Sequence, residues 1–209
     1  VRISFFGGGT DYPPWYRDNG GAVLNATINK YGYVSCRYLP PFFKHKYMTR
    51  YRLNEAVYDV SELLHPSVRE RLKYMGIDNG IEMVHTSDIP ARSGVGSSSA
   101  FTVGFLNTLA ALQGKMLTKR QLAANAIEVE QSWIKENVGS QDQVATAFGG
   151  LNRIDFNGKQ NFLVQPVTIG DEKIQLLQDH LMFFFTGISR TASDVAGKQI
   201  ESISSKSKE

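Results

Sequence analysis

One cysteine in 209 residues, Cys36, leaves no internal disulfide framework and fits a reducing compartment. By itself such a residue reads as a small buried hydrophobe. No apolar run approaches the roughly 20 residues needed to span a bilayer. The positive excess is only +3, too little to argue for a nucleic-acid or membrane-surface partner. His45, His65, His85 and His180 are scattered and show no paired metal-ligand spacing. There is no G-x-x-x-x-G-K-[ST], which excludes a Walker-type phosphate loop. A G-x-G-x-x-G followed by a helix and an acid is also missing, against a dinucleotide fold. Nothing matches the G-x-S-x-G elbow of serine hydrolases, and no internal repeat occurs. What remains is an ordinary globular composition, enough for one large domain or one and a half small ones.

The most informative stretch is Pro90-Ala91-Arg92-Ser93-Gly94-Val95-Gly96-Ser97-Ser98-Ser99-Ala100, which runs into an apolar pattern at Phe101. Two glycines and three hydroxyls at a helix mouth suit an anion, most naturally phosphate. Glycine lets the backbone approach a ligand, and the first-turn N–H groups and helix dipole attract negative charge. A plain Ser-capped helix after a flexible turn fits the same residues.

Around it the chain alternates strands and helices. Residues 1–6 read as a strand ended by Gly7-Gly8-Gly9, with Thr10 to Pro14 a loop that aims Asp11 at a ligand. Residues 22–28 and 32–39 read as strands, and the aromatic and basic mixture of 42–60 as an exposed β-ribbon. Residues 66–75 suit a helix and 81–86 a strand. The helix after the Gly/Ser loop runs to Leu112, with Phe101, Phe105, Leu109 and Leu112 on one face. Thr118 and Gln121 form a capping box that opens a helix to about Asn137. Its apolar face is Leu122, Ala126, Val129 and Trp133, bordered by the conflicting acid Glu130. A short helix follows from Gly139 to Phe148, then paired strands about Asn157-Gly158. The run 181–185 suits a strand buried on both faces, and 193–203 a last helix.

These spacings fit phosphoryl transfer. That chemistry needs a backbone cradle, a hydroxyl and a carboxylate for Mg²⁺, a carboxylate near the acceptor hydroxyl and a cation for developing charge. Gly94 to Ser99, Ser98, Glu130, Asp142 and Arg2 could supply these parts; spacing alone does not show that they converge.

The opening Arg2-Ile3-Ser4-Phe5-Phe6-Gly7-Gly8-Gly9-Thr10-Asp11-Tyr12, taken with Pro90-x-x-x-Gly94-Val95-Gly96-Ser97-Ser98-Ser99-Ala100, resembles the GHMP kinase superfamily. The triple glycine and Ile89-Pro90-Ala91-Arg92-Ser93-Gly94 look like its bacterial D-glycero-D-manno-heptose 7-phosphate kinase branch. The resemblance implies an α+β fold: an N-terminal β/α domain with a left-handed crossover over residues 1–178, then the start of a ferredoxin-like C-terminal domain at 179–209. It implies a cytoplasmic, ATP- and Mg²⁺-dependent kinase of the anomeric hydroxyl, with sugar phosphate and ATP as partners and neither nucleic acid nor membrane. A galactokinase- or fucokinase-like sugar 1-kinase and a non-catalytic sugar or nucleotide binder are the alternatives. By the same resemblance Asp142 is the acid at the acceptor hydroxyl and Arg2 its catalytic partner. Arg92, Ser93, Gly94, Val95, Gly96, Ser97, Ser98 and Ser99 hold the ATP phosphates. Gly8, Gly9, Thr10, Asp11 and Tyr12 bind the sugar, and Ser98 and Glu130 the metal. The third, Gly-rich family motif is missing, so the chain is expected to start late, at Val1, and to stop inside the second domain.

Overall fold

Helix α3 (Ser97–Leu112) is apolar on nearly every side, and a helix of that composition needs cover all round. It receives that cover from both directions. Phe101, Phe105 and Leu109 pack on Tyr47, Ile81 and Met83 of one sheet, together with Val68 and Leu72. Val103 and Leu106 pack on Leu122, Ala126 and Val129. The computed structural model describes residues 1–91, 93–158, 161–184, 196–197 and 199–200.

The first sheet holds β1 (Arg2–Phe6), β2 (Gly21–Thr27), β7 (Leu151–Asn157) and β8 (Asn161–Pro166) in the order β1-β2-β7-β8, all antiparallel. The second holds β3 (Gly32–Tyr38), β4 (Tyr47–Arg50), β5 (Asn54–Val57) and β6 (Ile81–Ser87) in the order β3-β6-β4-β5. Its β4–β6 pair is parallel, joined through β5 and α2 (Pro66–Tyr74). α1 (Pro13–Asn19), α4 (Lys119–Glu128) and α5 (Gln141–Phe148) close the first sheet through Tyr16, Val23, Ile127, Val144, Ile154 and Phe156. α3 rests on β3 and touches both α4 and α5, so the helices lie between the sheets.

The expected α+β class holds, and most expected strands appear within two residues of their ends. The Thr118–Gln121 capping box forms both of its hydrogen bonds. Other readings need correction. Thr10 to Pro14 is not all loop, because Pro13 starts α1, where its fixed φ suits a first helical turn. The 42–60 segment is not a free ribbon: β4 lies between β5 and β6, and alternation buries Tyr47 and Thr49. The helix from Thr118 leaves α geometry at Val129, where a π turn (Val129–Trp133) adds a residue and moves the apolar face. Trp133, expected in the core, is therefore 42% exposed, its ring edge-on to Tyr74. Residues 181–184 form no strand and are exposed, since no strand among the described residues pairs with them. They follow an unanticipated helix, α6 (Asp171–Asp179), which carries acids in its first turn. The expected boundary at 178 falls at the end of α6. Of the expected last helix, residues 196–197 and 199–200 are helical and the rest lies outside the described residues.

Two imidazoles flank Phe101 in the second core, His85 at 4.6 Å and His65 at 6.3 Å between ring centres. Burial lowers the pKa of both. Below the ordinary value of about 6.5 the unfolded chain therefore binds more protons than the folded one, and stability falls as pH drops. Denaturation midpoints should decline from about pH 7.5 to 5.5. His85→Gln should flatten that slope; an unchanged slope would show that His85 does not contribute.

Candidate active site

The turn before α3 ends at Gly96, the N-cap residue, whose φ of 71° is left-handed. Glycine adopts that conformation without a steric penalty but brings no side chain to cap the helix. The first-turn amides of Ser97 to Ser99 thus lack a side-chain cap, and the Ser-capped alternative fails. What stands open is a mouth of N–H groups at the positive end of a 16-residue helix, the requirement for holding phosphate. Ser98 is exposed there, Ser97 half-buried and Ser99 buried. The Ser93 hydroxyl is buried with no protein partner. Arg92 lies outside the described residues.

β1 fastens this mouth to α5. The Arg2 amide donates to the Val95 carbonyl at 3.0 Å, and its guanidinium donates to the Gly94 carbonyl at 3.2 Å. The same guanidinium grips Asp142 through two bonds, Nε to Oδ1 at 2.6 Å and Nη2 to Oδ2 at 2.8 Å. Such a fork fixes direction as well as charge. A Cβ on Gly96 would lie 3.2 Å from Asp142 Oδ2 and 3.3 Å from Arg2 Cγ. The helix mouth, the arginine and the carboxylate are therefore one contiguous surface, brought together from β1, α3 and α5.

Asp11 is placed otherwise than expected. It is 1% exposed, with Oδ1 accepting from the Gly9 amide at 3.1 Å and the Gln141 side chain at 3.2 Å. Oδ2 accepts from the Gln141 amide at 3.0 Å. Ser140 makes no side-chain cap for α5, so Asp11 supplies the acceptor that the helix start needs. Burial, the largest influence, raises its pKa, opposed by these amides and reinforced by nearby Asp142. Both carboxylate oxygens thus face protein donors. Thr10 likewise spends its hydroxyl on the Gly7 carbonyl at 2.8 Å and the Ala22 amide at 3.1 Å. Gly8 remains exposed, Gly9 is half-buried, and Tyr12 donates to Gln199 at 3.2 Å.

Glu130 is also buried, at 1% exposure. Oε2 accepts from Ser99 at 2.9 Å and from Gln143, and Oε1 accepts from Thr102. Arg71 stands 3.6 Å from Oε1 and is itself fully buried. Burial raises the Glu130 pKa against the pull of Arg71 and its hydroxyl and amide donors, and brings that of Arg71 down to about 10. The expected Ser98–Glu130 pair is not assembled: Ser99, one residue on, meets the acid, while Ser98 faces solvent. A carboxylate buried to 1% exposure with a cation buried beside it does not fit a magnesium ligand, since magnesium keeps several of its waters. Arg71 and Gln143 carried no motif, and only the buried-stripe position of Glu130 hinted at them.

Residues 57–150 match the family description "GHMP kinases N terminal domain", a span that includes the helix mouth, Glu130 and Asp142. Over that segment, a little under half of the chain, the sequence is similar to a GHMP kinase N-terminal domain. The D-glycero-alpha-D-manno-heptose 7-phosphate kinase of Campylobacter jejuni is 26% identical over 216 residues, covering 93% of this chain and 60% of that relative. A galactokinase of Chloroflexus aurantiacus is 25% identical over 182 residues, covering 82% of this chain and 45% of its own length. The chain thus spans from under half to about three-fifths of these relatives. The crystal structure of a D-glycero-D-manno-heptose 1-phosphate kinase from Bacteroides thetaiotaomicron superposes with a TM-score of 0.79 at 24% identity, covering 98% of this chain and 69% of that one. The fold is the GHMP kinase fold.

Proposed function

We propose that this chain is the nucleotide- and acceptor-binding part of an ATP-dependent sugar kinase. Its acceptor is the anomeric hydroxyl of D-glycero-D-manno-heptose 7-phosphate and its product the 1,7-bisphosphate, which supplies nucleotide-heptose synthesis. The observation that carries the reading is the Arg2–Asp142 fork held against the uncapped mouth of α3. A protein that only bound sugar or nucleotide has no need of a carboxylate so directed.

In this reading the ATP phosphates rest on the amides of Ser97 to Ser99, with Ser93 and Ser98 as hydroxyl donors. A magnesium ion bound with the nucleotide would supply charge neutralisation between the phosphates, with Ser98 the exposed hydroxyl that could face it. Asp142 accepts the proton of the acceptor hydroxyl as that oxygen attacks the γ-phosphate in line. Arg2 keeps the carboxylate turned to the acceptor and adds positive charge beside the phosphate loop. The sugar lies along Gly8, Gly9 and Tyr12, and Asp11 shapes that wall from behind. Residues 1–178 form this domain and 179–209 open the second. In this reading the reaction draws on cytoplasmic ATP. No helix among the described residues is long and apolar enough to cross a membrane.

ADP release by the chain with a panel of acceptors tests the reading. Release with heptose 7-phosphate and not with galactose or fucose is expected. Preference for galactose would move the chain to the galactokinase-like alternative, which its 25% identity to a galactokinase keeps in view. Nucleotide binding without ADP release for any acceptor would sink the kinase reading.

A further inference from the structure

Glu130 joins four segments at one buried point. Its oxygens collect Ser99 and Thr102 from α3, Gln143 from α5, and the charge of Arg71 from α2. The acid itself sits in the π turn, a rare geometry that re-aims a side chain and recurs at functional sites. Arg71 is equally committed: it donates to the Ser67 carbonyl and hydroxyl and to Thr102, and lies 5.2 Å over the Phe101 ring. A carboxylate this deep stays charged only beside a cation that is buried with it, and Arg71 is that cation.

The segments joined are those that build the site. α3 presents the uncapped amides, and Ser99 belongs to that first turn. In α5, Gln143 directly follows Asp142, so a bond that fixes Gln143 fixes the helix position of the catalytic carboxylate. We propose that Glu130 is a positioning residue with Arg71 as its counter-charge, and that this ion pair, not a metal ion, sets the distance between the phosphate mouth and Asp142. This deepens the kinase reading and rests on it for the catalytic readout; the stability readout is independent. It departs from the metal-binding role that the family resemblance implied for Glu130.

The test compares the full chain with R71M, E130Q and R71M/E130Q. Each single change strands a buried partner and should lower the urea midpoint, while the double change should recover most of the loss. Losses that simply add would overturn the ion pair. Mn²⁺ binding in the presence of a non-hydrolysable ATP analogue, followed by electron paramagnetic resonance, should be unchanged within about threefold in the double variant, while ADP release falls by about 10- to 100-fold. Loss of Mn²⁺ affinity in the folded double variant would make Glu130 a metal ligand. Full turnover there would make the pair structural only. If the unaltered chain binds no nucleotide, the kinase reading fails and the urea cycle still decides whether Arg71 and Glu130 act as a pair.

Discussion

Asp142→Asn should leave a folded chain that binds nucleotide and no longer transfers phosphate. The side chains are nearly isosteric, yet the fork with Arg2 needs two acceptors, and asparagine offers one oxygen and one NH₂ group. That NH₂ faces an arginine N–H, so the direction of the group is lost along with its basicity. Removing a positioned general base costs about 10²- to 10⁴-fold in turnover, and misdirection adds to this. The mouth proposed to hold phosphate is built from amides of α3 that the change does not touch, so nucleotide affinity should stay within a few-fold. In steady-state terms kcat collapses while the KM for ATP barely moves. Measurement of both constants by ADP release, with analogue binding as the control, checks this. Turnover within about tenfold of the unaltered chain would remove Asp142 from the chemistry.

Much of this arrangement is legible along the chain because it is local. Gly94-Val95-Gly96 before an apolar helix announces the mouth, and Thr118 with Gln121 announces α4, since a cap and its helix are neighbours in sequence. The meeting of Arg2 with Asp142 is legible only through the family resemblance, because sheet pairing and helix packing supply the contact. Asp11 and Glu130 were harder. Each is a carboxylate beside a glycine loop or an apolar stripe, and such an acid can face a ligand or the protein. The choice depends on a donor contributed from far away: the start of α5 for Asp11, and Arg71 of α2 for Glu130. Arg71 lies in an unremarkable amphipathic helix, and nothing in its surroundings marks it as a buried cation. Residues 181–184, the described part of the expected strand 181–185, form no strand for a related reason. An apolar segment becomes a strand only when another strand pairs with it, and that partner cannot be read from the segment.

Gly139→Ala should be among the most damaging single-methyl additions in the chain. A Cβ there would fall 1.9 Å from Asp11 Oδ2 and 2.7 Å from its carboxyl carbon, far inside contact distance. The carboxylate cannot swing away cheaply, since Gly9 and Gln141 hold both oxygens and Ser140 donates to the Asp11 carbonyl at 3.0 Å. Relief therefore means either shifting the 139–140 backbone or breaking bonds to a buried charge. Overpacking costs about 1–3 kcal/mol and each stranded buried partner a similar amount. A total of about 3–5 kcal/mol is expected, a large share of the ~5–15 kcal/mol that holds a domain folded. Urea denaturation of the variant measures it. Asp11→Ala made on top of Gly139→Ala tests the cause, because deleting the obstructing carboxylate should return part of the loss. Equal losses with and without Asp11 would show that the clash is not the source. Because Gln141 and Asp142 are consecutive at the start of α5, even a folded Gly139→Ala chain should have Asp142 displaced from the α3 mouth and lose turnover more than nucleotide affinity. The glycine, with no chemistry of its own, thereby sets where the Asp142 carboxylate stands.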